Sequence, residues 1–305
     1  MRIGIDLGGT KIEVAVLDGQ NEVFRKRVPT PRTGYDDTII AIRDLVMAAE
    51  GQIGKRLTVG VAIPGAISPV TGLVKNANST RLIGHPLDKD LGKALDRPIR
   101  VANDANCFTL SEATDGASAS ADVVFGVIVG TGCGGGIAVG KRVLNGAHAV
   151  TGEWGHNPLP SPRPDELEVA PRCYCGKVNC IEAWISGTGL ANDFRRRTGK
   201  DLQGHDIATS AAAGDGAAMA VMEDFYDRFA RALASIVNVL DPDSIVLGGG
   251  LSNIDTLYTE LPPRVERYAF TTEGRPVIVK NMHGDSSGVR GAAWLWREDE
   301  TLPDK

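Results

Sequence analysis

Two glycines set between apolar runs constrain this chain more than any other feature in it. Ile3 to Leu7 and Ile12 to Leu17 flank Gly8-Gly9. The pattern reads as strand, tight turn, strand, because glycine takes the positive φ angles a hairpin turn demands. The turn also carries chemistry: Asp6 enters it, and Thr10 and Lys11 leave it. Glycine N–H groups, a hydroxyl and an ammonium are what a polyphosphate needs around it. An ordinary hairpin with a polar turn fits the same residues.

The design recurs. Val123 to Val129 is an apolar strand, Gly130-Thr131-Gly132-Cys133-Gly134-Gly135-Gly136 a turn, and Ile137 to Val139 a second apolar run. Two such hairpins facing each other would make a nucleotide clamp between two lobes. Gly130, Gly132 and Gly135 also satisfy G-x-G-x-x-G, the dinucleotide fingerprint. That motif must open a helix, and here the following residues read as a β segment ending at Gly140-Lys141. A nicotinamide cofactor is therefore not expected.

A chain of 305 residues is long enough for two ordinary domains. Its net charge of −5 offers no basic face to nucleic acid. No apolar run approaches the ~18 residues of a membrane span. Met1 leads directly into a strand, so no leader is expected, and the reading is a cytoplasmic protein. The five cysteines are an odd number, which in a reducing compartment argues against a disulfide framework. Cys173, Cys175 and Cys180 lie close together, which favours metal binding.

Along the chain, Asp36 to Glu50 reads as a helix with Ile39, Ile42, Leu45 and Val46 on one face. Leu57 to Ile63 is a strand, Ile67 to Ser79 a loop and hairpin with Asn76 and Asn78 at its end, Leu87 to Leu95 helical, and Ile99 to Val101 a short strand. Asn103-Asp104 stands where that strand ends and a helix over Ala105 to Ala113 begins. Small polar residues from Asp115 to Ser120 suggest a boundary and hinge. Ser161 to Pro164 reads as a surface loop, and helices are expected from about Ile181 to Arg197 and from Ala217 to Leu240. The longer helix carries a core stripe of Met222, Phe225, Phe229, Leu233, Ile236, Val237 and Leu240, and Asp241-Pro242 stops it. Ser244 to Leu247 is a strand closed by Gly248-Gly249-Gly250, and Gly288 to Trp296 a last helix. Two open α/β lobes follow, residues 1–117 with 287–305, and residues 118–286.

Three constellations carry chemistry. His156 with Cys173, Cys175 and Cys180 has the composition of a closed tetrahedral Cys3His zinc site, although unligated buried thiols fit the same spacing. Glu153, in Gly152-Glu153-Trp154-Gly155-His156, and Glu182, just after the last cysteine, would be drawn together by such a metal. They could then hold vicinal sugar hydroxyls, or they could be two surface glutamates. Asp104 is placed to take a proton from a hydroxyl during phosphoryl transfer. Capping the helix is the commoner fate of such a residue.

Taken in order, Asp6-Leu7-Gly8-Gly9-Thr10-Lys11, Asn103-Asp104, Gly130-Thr131-Gly132, Gly152-Glu153-x-Gly155-His156 and Cys173-x-Cys175-Gly176-x-x-x-Cys180-x-Glu182 resemble the ROK (repressor, open reading frame, kinase) sugar kinases. The resemblance covers essentially the whole chain. Through Val74 to Thr80, Gly152 to Pro160 and His283 to Trp296 it is nearest to the bacterial fructokinases, also called mannokinases. It implies an actin-like, ribonuclease H-like two-lobed fold with ATP between the lobes. The phosphates would meet Gly4, Ile5, Asp6, Leu7, Gly8, Gly9, Thr10 and Lys11, and the loop of Gly130, Thr131, Gly132, Cys133, Gly134, Gly135, Gly136 and Ile137. Asp6 would sit near Mg²⁺. Asn103, Asp104, Glu153, His156 and Glu182 would hold the sugar, with Asp104 as base, and His156, Cys173, Cys175 and Cys180 would hold a structural Zn²⁺. Asn179 stands where the family commonly has glycine, and asparagine tolerates the left-handed conformation better than most residues.

The resemblance implies an ATP-dependent kinase for the 6-hydroxyl of a free hexose, with fructose the expected sugar. Glucose and N-acetylglucosamine are the alternatives within the family. A sugar-responsive repressor is disfavoured because the chain opens on the hairpin strand and not on a DNA-binding domain. A sugar-binding protein without catalysis is disfavoured by Asp104 together with both glycine-rich loops. The expected partners are hexose and ATP, without nucleic acid or membrane, and a homodimer is the assembly considered.

Overall fold

The computed structural model describes residues 1–77 and 79–302. Asn78 lies outside the described residues, so the loop end read from the sequence at that position is not described further. The chain divides into two compact units. The first takes Met1–Gly116, Lys141–Thr151 and the segment from Asp285 onward; the second takes Ala117–Gly140 and Gly152–Gly284. Lys141–Thr151, inside the span read from the sequence as the second lobe, thus packs with the first unit.

In the first unit, β1 (Arg2–Leu7) and β2 (Lys11–Asp18) form the expected hairpin, with Leu7 opposite Ile12 and Asp6 opposite Glu13. A further strand, β3 (Asn21–Pro29), extends the hairpin antiparallel to β2. It was not read from the sequence because its burial pattern is largely exposed, with no apolar run to announce it. On the other side β1 pairs in parallel with β4 (Thr58–Ile63). The short hairpin of β5 (Ala66–Ile67) and β6 (Val74–Lys75) forms a separate sheet. β7 (Ile99–Asn103) then joins β4 in parallel. Helices α1 (Tyr35–Ile53) and α2 (Leu87–Leu95) cover the sheet. Ile42, Leu45 and Val46 of α1 are buried against Ile3, Ile5 and Val14 in one apolar cluster. Each such side chain contributes about 1.5–3 kcal/mol when removed from water.

Helix α3 (Asp104–Thr114) follows β7 directly. The last helix of the chain returns to this unit and lies unusually close to it. There, Gly4 and Gly60 leave no room for a Cβ beside the backbone of Val289 and Ala292, and Gly291 leaves none beside Cys107. Glycine is required at these positions by backbone-to-backbone approach.

The second unit repeats the opening hairpin. β8 (Val123–Val129) pairs antiparallel with β9 (Cys133–Val139). The chain then passes through β10 (Arg142–Val143) and the short helix α4 (Pro164–Glu168) to the cysteine-bearing loop. The helix expected from Ile181 to Arg197 is two helices, α5 (Glu182–Ile185) and α6 (Gly187–Thr198). Ser186 is extended between them, and its hydroxyl caps α6 by accepting from Gly189 N–H at 3.0 Å. Periodicity alone does not show a serine cap inside an otherwise helical run.

α7 (Gly204–Ala212) precedes the long helix α8 (Gly216–Leu240), which Asp215 caps by accepting from Ala218 N–H. Met222, Phe225, Phe229 and Leu233 of the expected stripe are buried, with Ile236, Val237 and Leu240 packed against the same core. α8 ends on Asp241 at φ +46°. β11 (Ser244–Gly248) joins β8 in parallel and β12 (Ile278–Lys280) joins β11, with α9 (Leu257–Tyr268) between them in sequence. α10 (Ser287–Trp294) is the returning helix of the first unit.

α8 also buries Arg228 and Arg231. Arg228 Nε donates to Glu166 at 2.9 Å and its Nη1 to Asp193 at 2.8 Å, while Arg231 Nη2 donates to Glu166 at 2.6 Å. Arg231 also donates to the carbonyls of Pro160 and Ser161, at 2.9 Å each. This charged network ties the loop after His156 to the long helix.

Candidate active site

In the first unit the β1–β2 turn is held by Gly8 N–H donating to the Lys11 carbonyl at 3.0 Å. Among the described residues no bond takes the N–H groups of Gly9 and Thr10, and both residues are exposed. Gly4, Ile5 and Leu7 lie within β1. Ile5 and Leu7 are buried, and α10 backbone covers Gly4, so these three support the turn and do not reach a phosphate from their side chains.

Asp6 closes this turn. Its carboxyl is pushed up to about 6, first by burial and then by the charges of Asp104 and Glu13, with Lys11 and Arg27 pulling the other way. Glu13 is itself buried and bonded to Arg25 and Arg27. The backbone of Gly288 leaves little space beside Asp6, since a Cβ there would come 3.2 Å from Oδ2. A half-buried carboxylate repelled by a second carboxylate is a site that a divalent cation would relieve. Asp6 and Asp104 therefore fit Mg²⁺.

The structure separates two roles at the start of α3. Asn103 is the N-cap: its Oδ1 accepts from Ala105 N–H at 2.9 Å and its Nδ2 donates to the Gly65 carbonyl at 3.2 Å. Asp104 is the first helical residue, exposed, with Oδ1 accepting from the same Ala105 N–H at 2.8 Å. The capping duty has a holder other than Asp104.

In the second unit the Gly130–Gly132 turn is narrower than the loop read from the sequence. Cys133, Gly134, Gly135, Gly136 and Ile137 are strand residues paired with β8. Gly130 N–H donates to the Gly132 carbonyl at 2.9 Å. The Gly130 carbonyl accepts from Gly187 N–H at 2.7 Å, and the Thr131 carbonyl accepts from Thr188 Oγ1 at 2.8 Å. The break at Ser186 is what brings the start of α6 to this turn. Cys133 N–H donates to Glu182 Oε2 at 2.8 Å and is not available to a phosphate. The N–H groups of Thr131 and Gly132 have no partner among the described residues.

His156, Cys173, Cys175 and Cys180 present ligand atoms that all lie within 4.8 Å of one another. His156 Nδ1 is 3.6 Å from Cys173 Sγ, and Cys175 Sγ is 3.6 Å from Cys180 Sγ. A tetrahedron with ordinary zinc bond lengths has edges of about 3.8 Å between sulfurs and about 3.6 Å between sulfur and nitrogen. The four residues fit Zn²⁺. Asn179 adopts φ +64°, the left-handed conformation for which glycine is the usual choice. Its side chain adds what glycine cannot, accepting from buried Trp184 Nε1 at 2.7 Å.

The expected sugar-binding residues of this unit converge on the same cluster. Glu182 Oε1 is 4.0 Å from Cys173 Sγ, and Glu153 Oε2 is 3.9 Å from His156 Nε2. The sequence reading missed Tyr174, whose hydroxyl lies 3.1 Å from that same Nε2. Its position between two cysteines was the only available pointer to it.

Each unit opens on a glycine-turned hairpin; the Asp6 and Asp104 carboxylates come together in the first, and a His/Cys cluster beside Glu153 and Glu182 stands in the second. This is the two-lobed α/β sugar-kinase fold of the actin-like ATPases. The chain belongs to the ROK family, whose model matches residues 2–299, and it is a sugar kinase of that family. It is 42% identical over 299 residues to an N-acetyl-D-glucosamine kinase of Pectobacterium atrosepticum, covering 97% of this chain and 98% of the relative. The ROK hexokinase of Thermus thermophilus superposes with a TM-score of 0.85 at 31% identity, over 96% of each chain. A ROK family glucokinase from Streptomyces griseus, in complex with glucose and AMPPNP, gives 0.75 at 27% identity, over 97% of this chain and 99% of that one. No helix among the described residues is long and apolar enough to cross a membrane.

Proposed function

We propose that this chain transfers the γ-phosphoryl group of ATP to the 6-hydroxyl of a free hexose, with N-acetyl-D-glucosamine as the first candidate sugar. The observation that carries the reading is the division of labour at α3, where Asn103 caps and an exposed Asp104 carboxylate stands close enough to Asp6 to raise its pKa. Asp104 accepts the proton of the 6-hydroxyl as its oxygen attacks the γ-phosphorus and ADP departs. Asp6 would hold Mg²⁺, which would supply charge neutralisation to the phosphates. The open N–H groups of Gly9, Thr10, Thr131 and Gly132 bind phosphate oxygens, with the Lys11 ammonium beside the first pair. Glu153, His156 and Glu182 hold sugar hydroxyls, and His156, Cys173, Cys175 and Cys180 would hold a structural zinc that would brace their geometry.

The sugar is the finer question. The N-acetylglucosamine kinase at 42% identity supports that sugar. Fructose, expected from the stretches around Val74, Gly152 and His283, finds no counterpart in that relative and stands as the second reading. Specificity rests on pocket walls where one small contact changes selectivity by only about 10- to 200-fold. A coupled assay for ADP release over N-acetylglucosamine, fructose, glucose and mannose tests both. The highest kcat/KM is expected for N-acetylglucosamine. Fructose in first place would restore the fructokinase assignment, and no turnover with any hexose would end the kinase reading.

A further inference from the structure

Tyr174 is 80% exposed, so little packing holds its ring in place. Its side chain has one specific contact that the geometry defines, the imidazole of His156. The hydroxyl is 3.1 Å from Nε2, and the rings meet edge-on with centroids 5.2 Å apart. The backbone beneath it is fixed: Gly176 N–H donates to the Cys173 carbonyl at 3.0 Å, and Cys173 N–H to the Lys177 carbonyl at 2.9 Å. Only the side chain is free to swing.

The two nitrogens of His156 face different groups. Nδ1 is turned to the sulfur of Cys173; with zinc on Nδ1, Nε2 would carry the ring proton and donate. In the proposed reaction that donor belongs to a sugar hydroxyl. In the structure a hydroxyl already occupies it, the phenol of Tyr174.

We propose that Tyr174 is a specificity-determining residue that acts as an internal competitor for His156 Nε2, a stand-in that the substrate hydroxyl must displace. The inference rests on the sugar-kinase reading and sharpens it. A tethered competitor is present at high effective concentration. The apparent affinity of any sugar that uses Nε2 is therefore reduced by the fraction of molecules in which the phenol has swung away. A sugar lacking the relevant hydroxyl displaces nothing and escapes that reduction. Tyr174 thus compresses the difference between hexoses that present this hydroxyl and those that do not.

The test is calorimetric titration of hexose into zinc-loaded protein without nucleotide, comparing the natural chain with Tyr174→Phe. The substitution removes only the competing oxygen, at an exposed position where folding is not at stake. The hexose that the natural chain phosphorylates best should bind about 2- to 10-fold tighter to the variant, the weight of one neutral hydrogen bond. KM should fall by the same factor with kcat within twofold. Monodeoxy analogues of that hexose should all show the gain except one, which identifies the hydroxyl that meets Nε2. Unchanged or weaker binding by Tyr174→Phe would overturn the inference, and so would an equal gain for every analogue. A natural chain that binds no hexose would overturn the sugar-kinase reading instead.

Discussion

The two hairpins share a backbone plan and differ in charge. In each, an antiparallel pair ends in a short turn with two N–H groups that no bond takes among the described residues, and the first strand of the pair runs parallel to a buried neighbour. The first turn is surrounded by its own charges: Asp6, Lys11 and Glu13 come from the hairpin itself, and Arg25 and Arg27 from the strand beside it. The second turn has none. Its flanking positions are glycine, threonine and a buried Cys133 whose thiol is held well above its ordinary pKa by burial. The carboxylate it needs, Glu182, arrives from the cysteine loop and attaches to Cys133 N–H. One hairpin carries its electrostatics in its local sequence, whereas the other takes it from the cysteine-bearing segment far along the chain.

The largest effect should come from the charged side. Asp104→Asn keeps size and leaves the cap with Asn103, so kcat should fall on the order of 10²–10⁴ with an unchanged melting temperature. Near-normal kcat would remove Asp104 from the chemistry. Next is Asp6. Its folded pKa, about 6, lies above the ordinary 3.8, so the native state binds the extra proton and loses stability as pH rises through that interval. Above about pH 6 the penalty is fully present. Asp6→Asn should therefore raise metal-free stability at pH 8 by up to about 3 kcal/mol, give no gain near pH 3.5, and abolish turnover. A variant less stable at pH 8 would mean that the buried charge is already compensated.

On the neutral side, Cys175→Ser should reduce zinc from one ion per chain to none by elemental analysis. It should weaken sugar binding at least roughly 10- to 100-fold, because His156 and Glu182 lose their frame. Metal-free protein with full activity would make the second hairpin self-sufficient after all. The finest probe compares the turns directly. A Cβ at Gly132 would come 2.7 Å from Glu182 Oε2, whereas one at Gly9 meets nothing nearer than Ser79 Oγ at 3.8 Å. Gly132→Ala should raise the KM for ATP roughly tenfold by displacing Glu182 from Cys133 N–H, and Gly9→Ala by less than about threefold. Equal effects would erase the distinction between the hairpins.

What the sequence made legible follows the same division. Both hairpins could be read because glycine pairs between apolar runs specify their own turns, and the grouping of His156 with Cys173, Cys175 and Cys180 could be read because these residue types have few other uses together. Asn179 could be read as a left-handed position because the ROK pattern commonly has glycine there and asparagine tolerates that conformation. The Glu182–Cys133 bond could not, since it joins residues distant in sequence with no periodicity between them. The break at Ser186 and the placement of Lys141–Thr151 with the first unit depend on what each segment packs against. Tyr174 is hidden for another reason: an exposed tyrosine reads as surface until a neighbour is found for its hydroxyl.

The three glycine contacts of α10 have a consequence for how the protein is made. β1 leaves the ribosome well before α10, yet the two pack with no side chain between their backbones at Gly4. At ordinary synthesis rates of about 5–20 residues per second, the opening strands wait roughly 15–60 s for that helix. During this time β1 and β4 expose the glycine-lined surface on which α10 will lie. The second unit lies almost wholly within this interval of synthesis, so it can fold before the first is finished. β1, made long before α10, thus belongs to the unit that matures later of the two.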